Sequence, residues 1–323
     1  MKHWTAQELA SLRELRSRFL ERSAGAADYW RTDDELALYD RTFAARIGWK
    51  CDAAIRAAFA LGWRPRSKRV LDWGCGTGVA SRRLLNAWPH FEKLAFHDRS
   101  ARAMRFAADR ARHDWPALEV EASPLVDRGT LLVLSHVISE LEALDDVLHL
   151  VRAAGEVLWI EAGTHADSRR LIEVREAVRG EFRMIAPCPH ATRCGLLAPE
   201  NARHWCHHFA APPTEVFQDA AWAEFGRELG IDLRSLPFSY LVMDREPSSL
   251  LPPGTSRILG IPRESKGYCR VLSCQEEGVA EFMLQKRDDP LLFRTVLRAP
   301  ELPPFRWTFR SGRIAGGEQQ TEK

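Results

Sequence analysis

The stretch SKRVLDWGCGTGVASRRLLNAW, residues 67–88, limits what this chain can fold into more than any other. A short apolar run ends in an acid, three glycines follow at alternate positions, and a helical pattern begins at once. Such a turn brings backbone N–H groups to the carboxyl end of a strand and the start of a helix, where a ligand can approach closely. The texture repeats downstream. KLAFHDRS reads as a second strand ending in an acid, and ARAMRFAADRARHDW as the helix after it. GTLLVLSHVISEL and GEVLWIEAGT read as two more strands, separated by the helical EALDDVLHLVRAA. Continuous apolar strands alternating with helices predict a doubly wound α/β fold, a largely parallel sheet covered on both faces.

The flanks differ. Residues 1–64 read as a helical region, because TAQELASLRELRSRFLER and DDELALYDRTFAARIGWKCDAAIRAAFALG space their apolar residues by three and four, and Gly62 and Pro65 stop the pattern. Trp4, Trp30 and Trp49 are its expected packing residues. The sheet domain is expected over residues 65–245, with an irregular loop at 186–209 entered from the strand EFRMIAP. TEVFQDAAWAEFGRELG and PFSYLVM add a helix and a strand. Residues 246–311, broken by Gly, Pro and charged turns, predict a small appendage of two or three antiparallel strands. Residues 312–323 are expected to be a disordered tail.

Forty-six Lys and Arg against 44 Asp and Glu leave a net charge of +2, so no polycation announces nucleic acid, although local basic patches are open. The charged N-terminus does not read as a secretory signal, and no run of 18 apolar residues predicts a membrane span. Seven cysteines, an odd number in a chain too long for a disulfide scaffold, point to a reducing, cytoplasmic setting.

In VLDWGCGTG, Gly74, Gly76 and Gly78 permit the tight turn, and Asp98 lies twenty residues beyond Gly78. That acid can accept both hydroxyls of a ribose. A dinucleotide would call for GxGxxG, whereas here the third glycine comes one residue early. Asp72 would repel a phosphate and suits a cationic, non-phosphorylated ligand. The segment resembles the S-adenosylmethionine methyltransferases of the doubly wound class I type. The resemblance implies that Asp72 lies near the methionine moiety, that Gly74, Gly76 and Gly78 approach the ligand, that Asp98 takes the ribose, and that Ser135 and His136 in SHVISEL line the pocket. Cys75 reads as a filler of the turn. Neither an NPPY-like tetrad nor a Pro-Cys pair follows the fourth strand, and Glu140 and Glu161 nominate no general base. Whether the chain is an enzyme is left open.

APCPHATRCGLLAPENARHWCHH, residues 186–208, gathers three cysteines and four histidines without helical or strand period. The spacing is Cys188-x5-Cys194-x11-Cys206, with Cys269 or Cys274 far downstream. Four thiolates admit tetrahedral zinc or a [4Fe–4S] cluster, and the absence of CxxC knuckles leans toward the cluster. His190, His204, His207 and His208 are alternatives to one thiol in a zinc site.

VLDWGCGTG, SHVISEL, IEAGT, IAPCPHATRC, WCHHF, PFSYLVM and GYCRVLSCQEEG occur in the order of the Rsm22-like family, which this chain resembles over residues 65–290. Those methyltransferase-like proteins are linked to assembly of the small ribosomal subunit. The resemblance implies a [4Fe–4S] cluster held by Cys188, Cys194, Cys206 and Cys274, the last preferred to Cys269 because it precedes QEEG. Gly195 stands where the family commonly has proline, and His207 is inserted into its CHF motif. The implied partner is the small ribosomal subunit or its rRNA, met by a monomer with no DNA and no membrane. Cations between Arg170 and Arg203, and between Arg257 and Arg287, are candidates for its phosphates. The leading reading is an adenosylmethionine-binding, cluster-containing assembly factor. An active rRNA methyltransferase and a zinc-stabilised RNA-binding protein with a vestigial fold are the alternatives. A radical enzyme is disfavoured because the CxxxCxxC loop is missing.

Overall fold

Leucines spaced along α1 (Ala6–Leu20) bury Leu12 and Leu15 completely in a computed structural model that describes residues 4–20, 30–121, 125–246, 251–299 and 301–321. The expected end of this helix at 21–22 and the connector residues 248–250 lie outside the described residues. In chain order there follow α2 (Asp33–Asp40), α3 (Phe43–Phe59), β1 (Arg69–Trp73), α4 (Val79–Ala87), β2 (Lys93–His97), α5 (Ala101–Asp114), β3 (Glu119–Glu121), β4 (Thr130–Ser135) and α6 (Asp145–Ala153). Next come β5 (Glu156–Ala162), α7 (His165–Val178), β6 (Arg183–Ala186), β7 (His208–Phe209), α8 (Ala220–Leu229) and β8 (Pro237–Asp244). The chain ends with β9 (Thr255–Ile258), β10 (Arg263–Ser265), β11 (Tyr268–Gln275), β12 (Gly278–Gln285), α9 (Pro290–Arg298), β13 (Phe305–Arg310) and β14 (Arg313–Gln319).

Two compact units emerge, and neither is a continuous segment. The first comprises residues 1–52, 67–154 and 210–236. Its strands run parallel in the order β3-β2-β1-β4, with Asp72 level with Phe96 on one side and Val133 on the other. Val70, Leu71, Leu94, Ala95 and the run Leu131–Leu134 are fully or almost fully buried, which explains their unbroken apolar pattern. Thr32 caps α2 and Ser100 caps α5, each hydroxyl accepting from a first-turn N–H. Trp30 and Trp49 are buried as expected, and Trp4 Nε1 donates to the Ala221 carbonyl in α8.

The second unit comprises residues 53–66, 155–209 and 237–323. There β8 runs antiparallel between β5 and β6 and also pairs with β7. Asp244, fully buried at the end of β8, receives both guanidinium nitrogens of Arg66.

The C-terminal part holds more strands than expected, and they close on themselves. β9 pairs with β11, β11 with β12, β12 with β14 in parallel, β14 with β13, and β13 with β9. β10 adds to the outer edge of β11. Helix α9, capped by Asp289 with Pro290 following, sends Leu292, Phe293 and Val296 into a core with Val271, Leu284 and Trp307. Within the expected disordered tail, Arg313–Gln319 form β14 instead, while 322–323 lie outside the described residues. β14 is ordered by its ladder with β13 and by one buried anchor, Ile314.

Candidate functional site

Three loops of the first unit carry its candidate residues, and each follows the carboxyl end of a parallel strand. Gly74 N and Cys75 N both donate to the His97 carbonyl at 2.7 and 3.0 Å, which pins the glycine turn to the end of β2. Gly74 has φ +70°, and a side chain there would meet Val137 Cγ1 at 2.3 Å. Gly76 has φ +51°, and a Cβ there would meet nothing within 4 Å. Only a residue without Cβ holds this turn without strain, and space stays open above its middle.

Asp98 stands beside that space. Gly76 N donates to its Oδ2 at 2.9 Å and Ser100 N to its Oδ1 at 2.9 Å. Each oxygen keeps a lone pair, so the carboxylate is oriented without being saturated. Asp72 is placed differently. It is 1% exposed and accepts from Ser81 Oγ at 2.6 Å and Ser81 N at 3.3 Å, so one of its oxygens already holds the first turn of α4. Burial pushes its carboxyl up to about 7, against which the two Ser81 bonds work. Gly78 serves as the N-cap of α4 with φ +72°.

Behind the turn, His136 sits at φ +58°, an uncommon backbone for a residue with a side chain. Its Nε2 lies 3.2 Å from Lys50 Nζ and its Nδ1 lies 3.2 Å from Ser135 Oγ. An ammonium only donates, so Nε2 accepts from Lys50 and Nδ1–H donates to Ser135. Desolvation, then the charges of Lys50 and Arg46, hold this imidazole well below its ordinary pKa. The Glu140 carboxyl is raised by burial and by Asp98 while pairing with Arg99 at 2.8 Å. Tyr39 of α2 stands near Glu140 and Asp98, and its hydroxyl is raised chiefly by burial. Sequence reading missed Lys50, Tyr39, Arg99 and Ser81. The first two come from the helical region, where nothing marks them off from packing or solvated residues.

In the second unit, Cys188, Cys194, Cys206 and Cys274 all line one cavity of about 30 Å³. Cys269 does not; it is fully buried in the barrel core. The loop is fixed by many hydrogen bonds. Arg169 donates to the carbonyls of Leu196, Asn201 and His204, while Ser168 Oγ and Ser239 Oγ both donate to the Cys206 carbonyl. Gly195 lets the loop press on β12, since a Cβ there would stand 2.6 Å from Val279 N.

Two buried arginines share the cavity. Arg175, 1% exposed, donates from Nε to Cys188 Sγ at 3.2 Å and from Nη2 to the carbonyls of His190 and Thr192. Burial alone would lower its pKa, but the neighbouring Cys188, then Cys194 and Glu176, raise it. Arg257, 4% exposed, donates from Nε to the Pro187 carbonyl and from Nη1 to that of Leu302. Its Nη2 is buried with no hydrogen-bond partner. Burial pushes the Cys194 thiol up to about 11, and the Cys206 and Cys274 thiols rise for the same reason, each reinforced by the other cysteines. Among the described residues no three His, Cys, Asp or Glu side chains are placed to hold a single metal ion. Of the histidines, His190 Nε2 lies 3.6 Å from Cys274 Sγ and His208 Nε2 3.8 Å from Cys206 Sγ. His207 stacks on Trp205, and His204 accepts from Arg203.

A parallel β/α run, a glycine turn and a second-strand acid, followed by an antiparallel β8 between β5 and β6, define a class I S-adenosylmethionine methyltransferase-like fold. The family described as mitochondrial small ribosomal subunit Rsm22 matches residues 53–299, and the chain belongs to that family. No curated protein matches it. Among solved structures it is similar to the plantazolicin methyltransferase BamL, at 11% identity over 74% of this chain and 97% of that one, with a TM-score of 0.41. Magnesium protoporphyrin IX methyltransferase from Synechocystis is 12% identical over 76% and 100%, with a TM-score of 0.38. A methyltransferase from Aquifex aeolicus is 13% identical over 48% and 90%, with a TM-score of 0.37.

Proposed function

We propose that this protein is an S-adenosylmethionine-binding, [4Fe–4S]-containing factor that acts on the small ribosomal subunit or its RNA. The observation that carries the reading is that one family match, over residues 53–299, spans the glycine turn, Asp98 and all four cavity-lining cysteines. Adenosylmethionine would supply an activated methyl group. For it Asp98 offers two oriented lone pairs, and the turn at Gly76 offers backbone under open space. What favours binding over turnover is the state of His136, whose Nε2 already accepts from Lys50 and cannot take a substrate proton while it does so.

The cavity fits a cluster in its donor set and its charge. A [4Fe–4S] group would add metal–thiolate bonds from Cys188, Cys194, Cys206 and Cys274. Four thiolates on a doubly charged core leave two negative charges. Arg257 offers an unpaired buried cation whose free Nη2 is a donor such an acceptor would satisfy, and Arg175, itself paired with Glu176, donates to Cys188 Sγ. Zinc is the weaker reading because the segment lacks the paired CxxC knuckles of structural zinc sites. The odd cysteine count and the thiol-ligated cluster proposed here fit a reducing compartment, which we take to be the cytoplasm.

Anaerobic purification should give a brown protein with about four irons and four sulfides per chain and absorbance near 400 nm. Stoichiometric zinc without sulfide would exclude the cluster. Association is tested by co-sedimentation with small subunits. Turnover is tested by methyl transfer to small-subunit RNA from a strain lacking the protein, and rapid stoichiometric transfer would make the chain an enzyme.

A further inference from the structure

We infer that the C-terminal barrel is a single-stranded RNA-binding module of the OB type and that its free face lies at the end of β11 and β12 away from the cysteine cavity. The inference rests on the ribosomal RNA reading above and names the surface and the kind of RNA. Taking β9, β11, β12, β13 and β14 as strands one to five, the pairings run 1-2-3-5-4-1. Strands three and five are parallel, and a helix between strands three and four plugs the core. That is the connectivity of the OB barrel, which binds oligonucleotides on the outer face of strands two and three, between the loops joining strands one to two and four to five.

Part of this face is already covered. Cys274 and Val279 pack with Leu196 and Leu259, and Asn201 Nδ2 donates to the Val279 carbonyl. The opposite end is open. Lys286 N donates to the Gly267 carbonyl at 2.9 Å, and Arg313 pairs with Asp288 at 2.7 Å, so residues 266–268, 285–288 and 309–313 form one continuous strip. Among the described residues Lys266, Lys286, Arg287 and Arg310 make no ion pair, although the Asp288 carboxyl, paired with Arg313, also feels Arg287 and Arg310. The acid on the outer side of β12, Glu281, is taken up by Arg263 and Arg270. Tyr268, half-buried at the start of β11 and level with Gln285, alternates with core-facing Cys269 and so supplies a ring on the outer side. An excess of cations beside an outward ring fits a strand whose bases are unpaired, because phosphates meet the charges while bases stack. A fold analogy alone would not carry this. The cations and the ring of Tyr268 fall where the topology puts the binding face.

The test uses the full chain, a labelled twelve-nucleotide single-stranded RNA and a duplex of the same length, titrated at fixed salt. The single strand should bind at least tenfold tighter than the duplex. Lys286→Glu with Arg287→Glu should weaken it tenfold or more and lower the salt slope by about 1.4, from about 0.7 per lost phosphate contact. Tyr268→Ala should weaken binding about tenfold without changing that slope, as loss of one stacked base does. Circular dichroism and melting of each variant check that the barrel persists. Equal affinity for duplex, or unchanged binding by the folded charge variant, would overturn the assignment while leaving the ribosomal reading in place. Loss of co-sedimentation with small subunits by wild type would instead sink that reading. Charge-sensitive capture of a ribosomal protein with no affinity for RNA would make the barrel a protein-docking module and overturn the proposal.

Discussion

Asp98 shows how a single side chain is prepared for a ligand. Two backbone N–H groups orient its oxygens and leave a lone pair on each, so its contribution to a ribose needs no rearrangement. Asp98→Ala should weaken adenosylmethionine by tenfold to a hundredfold, about 1.5–3 kcal/mol for charge-assisted hydrogen bonds. Calorimetry on cluster-loaded protein is the check, and an unchanged affinity would place the ligand elsewhere. Asp72 presents the opposite case, a carboxyl buried against Ser81 and pushed up from 3.8 to about 7. Between those values the unfolded chain has released its proton while the folded one still holds it. Wild type therefore loses stability as pH rises from about 4 to about 7, and the loss is flat above that. Asp72→Asn keeps an acceptor for Ser81 and removes this slope. Its melting temperature should gain on wild type across that window, and parallel pH profiles would show that Asp72 is ionised in the fold throughout.

At the scale of elements, β11 decides which late cysteine faces the cavity. Side chains alternate along a strand, and positions 269 and 274 differ by an odd number, so they point to opposite faces. Cys269 lies in the barrel core with Val271, and Cys274 lies outside it with Cys194 and Leu196. Cys274→Ser should abolish the absorbance near 400 nm. Cys269→Ser should keep that absorbance but lower stability by about 1–3 kcal/mol, the cost of a hydroxyl in an apolar core. The reverse pattern would exchange the two roles. Sequence order alone could read the first β/α units, because their strands are apolar throughout and their helices follow at once. It could not read the closed barrel, whose β12–β14 and β9–β13 ladders join segments distant in the chain. β14 looks like a tail because RIAGGEQ offers only Ile314 to a core, and its pairing with β13 supplies the rest. The start of α9 was legible in Asp289 and Pro290, a cap and first-turn proline that a reading of residues 246–311 as strands passes over. The loop at 186–209 has no periodicity, yet Arg169, Ser168 and Ser239 satisfy its carbonyls, and none of these three stands out in sequence.

Over the whole molecule the two sites share no unit: the glycine turn, Asp98 and His136 fall in residues 67–154, and all four cavity cysteines fall in 155–209 and 237–323. Removing the cluster bears on the second unit, which holds all four of its ligands. Its effect there follows from charge. With raised pKa values, the vacated thiols at Cys194, Cys206 and Cys274 are neutral near pH 7, so Arg257 loses the thiolates that would balance it. Arg257 has no carboxylate partner, and its Nη2 is already without an acceptor, so a buried cation remains uncompensated. The cheapest relief is local opening of the loop at 188–206 and of the β9–β11 contact, where Arg257 lies level with Cys274. The barrel core beneath α9, around Phe293, Phe305 and Trp307, contains no cluster ligand and is closed by its own ladders. Hydrogen exchange on matched cluster-loaded and cluster-free protein should then show protection lost at 188–206 and along β9, and kept in α9 and β13. Uniform loss across the barrel would mean that ligation folds the unit, and unchanged exchange throughout would mean that the cavity needs no anionic guest.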